Sequence, residues 1–145
     1  MEFIFIDQHS EYYKEAIDLR VSLFFSGMNN AKDLINDTHE NQGQHLVCLE
    51  GEEIVGTGRL NIEKNQGIIS QMAIKKEFQK KGIGSGILSK LLDKCSSLEL
   101  EKIKLSARET AINFYKKYGF ECYGDYYESE KTGIVHRNMS KKVNY

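Results

Sequence analysis

One segment near the middle of the chain constrains the fold most. A predicted apolar strand over residues 68–74 is followed by a glycine-rich loop that reads FQKKGIGSG. An amphipathic helix then begins, because apolar residues recur at helical spacing and form one stripe. The stripe consists of Ile83, Ile87, Leu88, Leu91, Leu92 and Cys95. A strand, a tight loop and a helix in this order favour a mixed α/β fold.

Other strands and helices are predicted on both sides of this unit. Upstream, alternating apolar residues predict strands over 2–7, 45–49 and 53–61, with a helix after Ser10 and a short one at 31–35. Downstream, the pattern predicts a strand over 103–106, a helix over 110–118 and an antiparallel pair over 120–127 and 134–143. The expected architecture is a mixed, mostly antiparallel sheet flanked by about four helices.

Length and charge exclude several classes of protein. The 145 residues suit one domain, residues 1–145. A formal net charge of -1 gives no overall attraction to nucleic acid or to an acidic membrane. No apolar run approaches the ~20 residues that a membrane helix needs. The N-terminus lacks the basic start of a signal peptide, and Asp7 interrupts its apolar stretch. We therefore expect a cytoplasmic protein without nucleic-acid or membrane partners.

The cysteines do not predict a metal site. Cys48, Cys95 and Cys122 are odd in number, widely spaced and never arranged as CxxC. Each has apolar neighbours, as buried free thiols commonly do. We expect neither a bound metal nor a disulfide framework.

The glycine-rich loop suits an anionic ligand. The first turn of a helix has N–H groups without intrahelical partners and a partial positive charge. Gly82 and Gly84 let the backbone approach a ligand without an intervening Cβ, which suits a pyrophosphate. A dinucleotide-binding loop would place its third glycine differently, and a Walker loop would need GK before Ser or Thr. A turn that merely starts the helix is the remaining alternative.

Two segments together carry a family resemblance. The first matches the pattern Q/R-x-x-G-x-G/A through Gln79, Gly82 and Gly84. The second, SARETAINFYKKYGF, matches A-x-x-F-Y-x-x-x-G-F through Ala111, Phe114, Tyr115, Gly119 and Phe120. In this order and at this separation they resemble the GNAT superfamily of N-acetyltransferases, in particular its small bacterial single-domain members.

The resemblance implies a GNAT-like fold, with a bulged central strand and a neighbouring strand that splays away to leave a V-shaped cleft. Acetyl-CoA is the expected co-substrate in that cleft, with its pantetheine arm on the strand and its pyrophosphate on the loop. The nearby lysines Lys75, Lys76, Lys80 and Lys81 suit the CoA phosphates. The expected cofactor-binding residues are Met72, Ala73, Ile74, Gln79, Lys80, Lys81, Gly82, Ile83, Gly84 and Ser85.

The resemblance also suggests how protons move. It places Tyr115 near the thioester sulfur, where a phenol that is protonated at neutral pH can act as general acid. A backbone N–H near residues 72–74 polarises the thioester carbonyl in this scheme. The general base is less clear, because Gln71 lies where many relatives have a carboxylate. Glu63, His45 and His136 are the candidates. His136 belongs to a segment, GIVHRNM, that resembles the GIPHxxM ending of some small relatives.

Several charged residues have open roles. Arg20 and Arg59 lie in LR and GRL segments that resemble the same small relatives, and Arg59 could contact substrate, stabilise the cleft or form a surface ion pair. Arg108 stands where relatives often place an asparagine that touches the cofactor. Acidic residues that could attract a cationic amine, or simply face solvent, are Asp33, Asp37 and Glu40.

The sequence leaves two functions in competition. The first is an N-acetyltransferase that moves an acetyl group to a primary amine of a small molecule or a peptide by direct attack on the thioester. The second is a non-catalytic module that binds or senses acyl-CoA, since the central strand lacks a carboxylate. Relatives often form dimers, which leaves both a monomer and a homodimer open for this chain.

Overall fold

A computed structural model describes residues 1–24 and 39–143 of the chain. These residues form seven strands and three α-helices. Their bounds are β1 Glu2–Ile6, α1 Tyr13–Phe24, β2 Gln44–Glu50, β3 Glu53–Glu63, β4 Gln66–Ile74, α2 Ile83–Ser97, β5 Lys102–Arg108, α3 Ile112–Lys116, β6 Glu121–Glu128 and β7 Val135–Lys142. Single 3-10 turns at Lys76–Phe78 and Glu109–Ala111 precede α2 and α3.

The strands form one mixed sheet in the order β1-β2-β3-β4-β5-β7-β6. Every neighbouring pair is antiparallel except β4 and β5, which run parallel. A parallel pair needs a crossover connection, and the central helix α2 supplies it. The expected mixed, mostly antiparallel sheet is confirmed.

A bulge interrupts β4 at its centre. Between the pairs Arg59↔Ser70 and Thr57↔Ala73, β4 advances by one residue more than β3. The extra residue is accommodated around Gln71, whose φ of 57° lies in the left-handed region. A β-bulge bends its strand and increases the local twist. The second half of β4 therefore takes a direction different from the first half.

The sheet opens where this bulge begins. β4 and β5 pair only from Gln66↔Lys102 to Ile69↔Leu105. Beyond Ile69, β4 stays with β3, whereas β5 continues to Arg108 alongside β7. The two central strands therefore diverge into the V-shaped splay that the sequence resemblance implied.

The two faces of the sheet are covered by different helices. The apolar stripe of α2 packs on one face in the larger core, where Ile83, Ile87, Leu88, Leu91 and Cys95 are at most 1% exposed. The other face carries α1, which lies nearest to β3 and β4. Its smaller core consists of Ala16, Leu19, Val47, Leu49 and Ile54.

Glycines on β3 bring α2 close to the sheet. A Cβ on Gly58 would lie 2.9 Å from both Ile87 Cγ2 and Met72 Sδ. A Cβ on Gly56 would lie 2.9 Å from Ile87 Cδ1. The close packing of the crossover helix therefore depends on the absence of side chains at these two positions.

One helix differs from the sequence prediction in length. Three α-helices lie in the described ranges, and the short helix expected at 31–35 lies outside them. The helix predicted over 110–118 is shorter, because its first turn is a 3-10 turn and α3 ends at Lys116. Gly119 has a φ of 90°, as expected of a residue that ends a helix. Among described residues, no helix is long and apolar enough to cross a membrane.

We predict that Gly58→Ala lowers the free energy of unfolding by roughly 1–3 kcal/mol, because its methyl group overpacks the contact with Ile87. Gly84→Ala is the matched control. Its Cβ would meet Phe114 and Ile74 at 3.8 and 3.9 Å, which is ordinary contact. Chemical denaturation measures both variants. An equal effect of the two substitutions would contradict the role assigned to Gly58.

Candidate active site

A cavity of about 540 Å³ lies where β4 and β5 diverge. Leu105 and Tyr115 line it from the side of the sheet on which α2 and α3 pack, since both belong to the larger core. Lys104 and Arg108 line it from the opposite face, because side chains alternate along β5. The cavity therefore passes through the splay and joins the two faces of the sheet.

Tyr115 lies at the helix side of this passage. Its ring packs edge-on against Phe114 and Phe120, with centroids 5.1 and 5.9 Å away. The side chain is 8% exposed, and burial raises the pKa of its hydroxyl to about 12. The phenol is thus protonated at neutral pH and keeps a proton that it can donate.

His136 lies on β7, directly across from Arg108 of β5 in the strand register, and it lines the same cavity. Its Nδ1 is 2.8 Å from the backbone carbonyl oxygen of Ile134. A carbonyl only accepts, so Nδ1 carries the proton and Nε2 retains a lone pair. The ring also stacks on Tyr127, with centroids 6.0 Å apart and an interplanar angle of 25°. These contacts hold the ring in an orientation and a tautomer that can take up a proton.

The start of α2 is compatible with an anionic group. Gly82 precedes the helix with a φ of 84°, and no side chain of a described residue caps the first-turn N–H groups. A Cβ on Gly82 would meet no atom within 4 Å, so open space lies beside the backbone. Unpaired amides next to open space are what a pyrophosphate needs. The residues present therefore fit the phosphate end of acetyl-CoA.

The neighbouring strand offers a complementary edge. Past Ile69, the β4 edge that faces β5 has no strand partner in the described structure. Met72 also lines the cavity. Gln79 donates from Nε2 to the backbone oxygen of Ile74 at 3.0 Å, so its side chain fastens the loop to the end of β4. A chain with amide groups, such as pantetheine, fits an unpaired strand edge of this kind.

A buried ion cluster fixes the bulge from the other face of the sheet. Glu40, 1% exposed, accepts hydrogen bonds from Arg20 Nη1 at 2.9 Å and Nη2 at 2.8 Å. It also accepts from Arg59 Nη1 at 2.8 Å and from the Tyr13 hydroxyl. Burial acts to raise the pKa of Glu40, but the hydrogen bonds from Arg20 and Tyr13 and the Arg20 charge outweigh it and lower the pKa to about 2. The carboxylate is therefore ionised at neutral pH.

The same two arginines reach the bulged strand. Arg20 donates from Nε to Gln71 Oε1 at 3.1 Å, and Arg59 donates from Nε to Ser70 Oγ at 3.0 Å. Ser70 and Gln71 both line the cavity. Glu40 thus orients two guanidinium groups, and these groups hold the side chains at the point where β4 bends.

A family model described as an acetyltransferase (GNAT) domain matches residues 9–143. The chain belongs to the GNAT acetyltransferase family. It is 30% identical to the uncharacterised N-acetyltransferase YjcF of Bacillus subtilis over 137 aligned residues. The alignment covers 94% of this chain and 96% of that protein. The expected class of enzyme, an N-acetyltransferase, is confirmed at the level of the family.

Solved structures confirm the GNAT fold. Escherichia coli ElaA superposes with a TM-score of 0.81 at 19% identity, covering 97% of this chain and 98% of that one. An aminoglycoside 6'-N-acetyltransferase complexed with coenzyme A also has a TM-score of 0.81, at 12% identity, covering 100% of this chain and 98% of that one. At these identities the likeness shows the fold alone.

Some of the site residues predicted from the sequence line the cavity, and others lie elsewhere. Tyr115, His136 and Met72 line the cavity together with Arg108. Glu63 does not line it, because it pairs with Gln66 at the exposed β3-β4 hairpin, where β4 begins and before its bulge. The predicted loop residues lie at the start of α2 instead of in the cavity lining; they are Gln79, Lys80, Lys81, Gly82, Ile83, Gly84 and Ser85.

Other charged residues differ from the expectation. Glu40 is neither a solvated residue nor an attractant for amines, because two arginines occupy its carboxylate. Arg59 is 3% exposed and supports the cleft from within the cluster. His45 is buried, and burial lowers its pKa, so it is neutral at neutral pH. Asp33 and Asp37 lie outside the described residues.

Sequence reasoning missed that Glu40 joins Arg20 to Arg59. A signal was present, since two arginines occur within segments that otherwise read as buried helix and strand. Charged side chains are rarely buried without a partner. The sequence did not say which of its acidic residues would supply that partner.

We predict that Glu40 makes the fold sensitive to acid. Its pKa is lowered from 4.5 to about 2 on folding, so its contribution is complete above pH 4.5 and is lost as pH falls towards 2. The lost contribution amounts to about 3 kcal/mol. Urea denaturation between pH 7 and pH 2 measures the change.

Glu40→Gln isolates this contribution. The variant leaves two buried arginines without a carboxylate and should lose about 3–5 kcal/mol at neutral pH. Its stability should then depend less on pH in the acid range than that of the wild type. Glu53→Gln is the control, since Glu53 pairs with Lys75 at the surface and should alter the profile little. Parallel profiles for the wild type and Glu40→Gln would refute the prediction.

Proposed function

We propose that this protein is an acetyl-CoA-dependent enzyme that moves an acetyl group onto a primary amine by direct attack of the amine on the thioester. The observation that carries this proposal is the cavity through the splay. It brings a protonated phenol, Tyr115, and an imidazole with a basic nitrogen, His136, to one space beside the unpaired edge of β4. Acetyl transfer needs a base that takes a proton from the amine and an acid that protonates the departing thiolate.

The binding surface has two parts. The N–H groups around Gly82 and Gly84 would hold the pyrophosphate at the start of α2, and the edge of β4 at residues 72–74 would pair with the amides of the pantetheine arm. Bound acetyl-CoA supplies an acetyl group already activated as a thioester. The backbone N–H groups of the same strand would polarise the thioester carbonyl. Of the lysines proposed to meet the phosphates, Lys75 is paired with Glu53.

Tyr115 is the proposed general acid. The cleaved thioester bond leaves a thiolate, and a proton from the phenol stabilises that leaving group. The buried ring contacts the rings of Phe114 and Phe120, and these contacts limit the positions of the hydroxyl. Because burial raises the pKa of its hydroxyl to about 12, Tyr115 carries this proton at neutral pH.

His136 is the proposed general base. An alkylamine is mostly protonated at neutral pH and must lose a proton before it attacks. Nε2 of His136 can accept that proton, because Nδ1 already donates to Ile134. We call the face of the sheet on which His136 and Arg108 lie the acceptor face. There the proton passes from the amine to the imidazole, while Tyr115 donates its proton on the opposite face. Glu63 has no part in this scheme, because it does not line the cavity.

A module that binds acyl-CoA without catalysis is the second candidate. One observation favours it: among the described residues that line the cavity, none is Asp or Glu. Both candidates bind acyl-CoA, but only the enzyme turns it over.

We also propose that residues 1–145 form a single acetyltransferase domain, that the amine belongs to a small molecule or a peptide, and that two copies associate as a homodimer.

We predict that acetyl-CoA stabilises the protein against heat, whereas ATP and NAD do not. A ligand at about 100 times its dissociation constant adds roughly 2.7 kcal/mol. Gly82→Asp should abolish this stabilisation, because the carboxylate enters the space beside the unpaired amides and repels a phosphate.

Gly51→Asp is the matched control for this measurement. Gly51 also has a positive φ, 64°, and a Cβ there would meet no atom within 4 Å, but this glycine lies in the β2-β3 hairpin. The variant should keep the response to acetyl-CoA. No stabilisation of the folded wild type at millimolar acetyl-CoA would remove both candidate functions.

We predict that Tyr115→Phe lowers kcat by roughly 10²–10⁴ and leaves the thermal response to acetyl-CoA intact. Release of the CoA thiol with a panel of amines measures the rate. Tyr118→Phe removes a hydroxyl from the same turn outside the cavity lining and should keep the wild-type rate. Binding without turnover in the wild type would favour the non-catalytic module, and an unchanged rate in Tyr115→Phe would remove Tyr115 from the mechanism.

A further inference from the structure

Among the described residues, the charged side chains that line the acceptor face of the cavity are cations. Lys104 and Arg108 share one face of β5 with Ser106, because residues two apart in a strand point the same way. All three line the cavity, as does His136. The described lining contains no acidic side chain that could neutralise these cations.

Arg108 is half-buried and has no carboxylate partner in the described parts of the chain. Its guanidinium lies over the ring of Phe24 at the end of α1, 5.4 Å from the ring centroid. Stacking of this kind orients a guanidinium while leaving its N–H groups available in the ring plane. A planar fork of donors matches a carboxylate or a phosphate and can bind it through two parallel hydrogen bonds.

Arg108 is also next to the proposed base. Arg108 of β5 and His136 of β7 are directly opposite in the antiparallel register. Side chains at such positions have Cβ atoms about 4.5–5.5 Å apart and point to the same face. A group that binds the guanidinium therefore lies within a few bonds of an amine that faces the imidazole.

We infer that the acceptor is an amine that also carries an anionic group, a carboxylate or a phosphate, close to its amino group, and that Arg108 binds this anion. An amino acid has this arrangement of charges. The inference rests on the proposed acetyl transfer and names its substrate class. Polycations such as polyamines and aminoglycosides are poor acceptors in this scheme, because Lys104 and Arg108 repel them. Aromatic rings of Phe24, Tyr123 and Tyr127 also line the cavity and suit an apolar side chain.

Matched amines test the inference. Phenylalanine is compared with 2-phenylethylamine, which lacks only the carboxylate, and O-phosphoethanolamine with ethanolamine. Spermidine represents the polycations. We expect kcat/KM to be at least about 10-fold higher for the anionic member of one pair, as a charge-assisted hydrogen bond implies. The pair that shows the preference distinguishes carboxylate from phosphate.

Variants of Arg108 assign the effect to this side chain. Arg108→Gln should lower kcat/KM for the preferred anionic amine by roughly 10- to 100-fold, mainly through KM, and change that of its uncharged counterpart little. Arg108→Lys should restore part of the loss. Lys90→Gln removes a positive charge from the exposed side of α2 and serves as the control.

A binding measurement decides the inference even without turnover. In the presence of CoA, N-acetylphenylalanine or N-acetylated O-phosphoethanolamine should raise the melting temperature more than the matching acetylated amine without the anion. Arg108→Gln should remove the difference.

The failures of the two proposals are distinguishable. Faster acetylation of spermidine or of the uncharged amines, with no effect of Arg108→Gln, overturns the substrate class and leaves acetyl transfer in place. No response to acetyl-CoA and no turnover overturn the proposed function. In that case the acetylated compounds still decide whether Arg108 binds an anion, and equal or absent stabilisation by them overturns the inference.

Discussion

The pairing of Glu40 with Arg20 and Arg59 is the interaction on which the site depends. One carboxylate neutralises part of the charge of two guanidinium groups from a helix and a strand, and these groups reach Gln71 and Ser70. A buried ion pair is weak support for stability in general, because desolvation opposes it. Its effect on the site is geometric, since it holds the strand where the extra residue bends it.

The bulge turns this local geometry into a cavity. Because β4 bends after Ile69, it leaves β5, and a sheet that would otherwise be continuous acquires a passage between its faces. The passage separates the proposed tasks of Tyr115 and His136. The first lies with the helices α2 and α3, where a thioester could be held, and the second lies on the face that would receive an amine. One strand irregularity thus provides both a binding edge and two sides for proton transfer.

Local sequence patterns predicted those features that depend only on residues close together in the chain. The stripe of α2 and the helix that carries Tyr115 follow from spacing along the chain, and the structure agrees with both helices and with the fold. The place of Tyr115 beside the cleft was expected only from the family resemblance. The Glu40 cluster joins residues that are distant in sequence, so no periodicity reveals it. The cross-strand relation of Arg108 to His136 depends on the register of β5 against β7, which the sequence alone does not fix. Glu63 illustrates the same limit, because its place beyond the cavity follows from where the β3-β4 hairpin turns.

The splay also has a consequence for self-association. An unpaired strand edge is a template on which another polypeptide can add, and proteins commonly protect their outer edges against aggregation. The free edge of β4 lies inside the sheet, because β5 is paired with β4 up to Ile69. A foreign strand would have to insert between two strands of the same sheet, whereas a slender chain with a few amide groups needs less room. The same geometry therefore keeps a binding edge available to a small ligand while it discourages the formation of β-sheet between molecules.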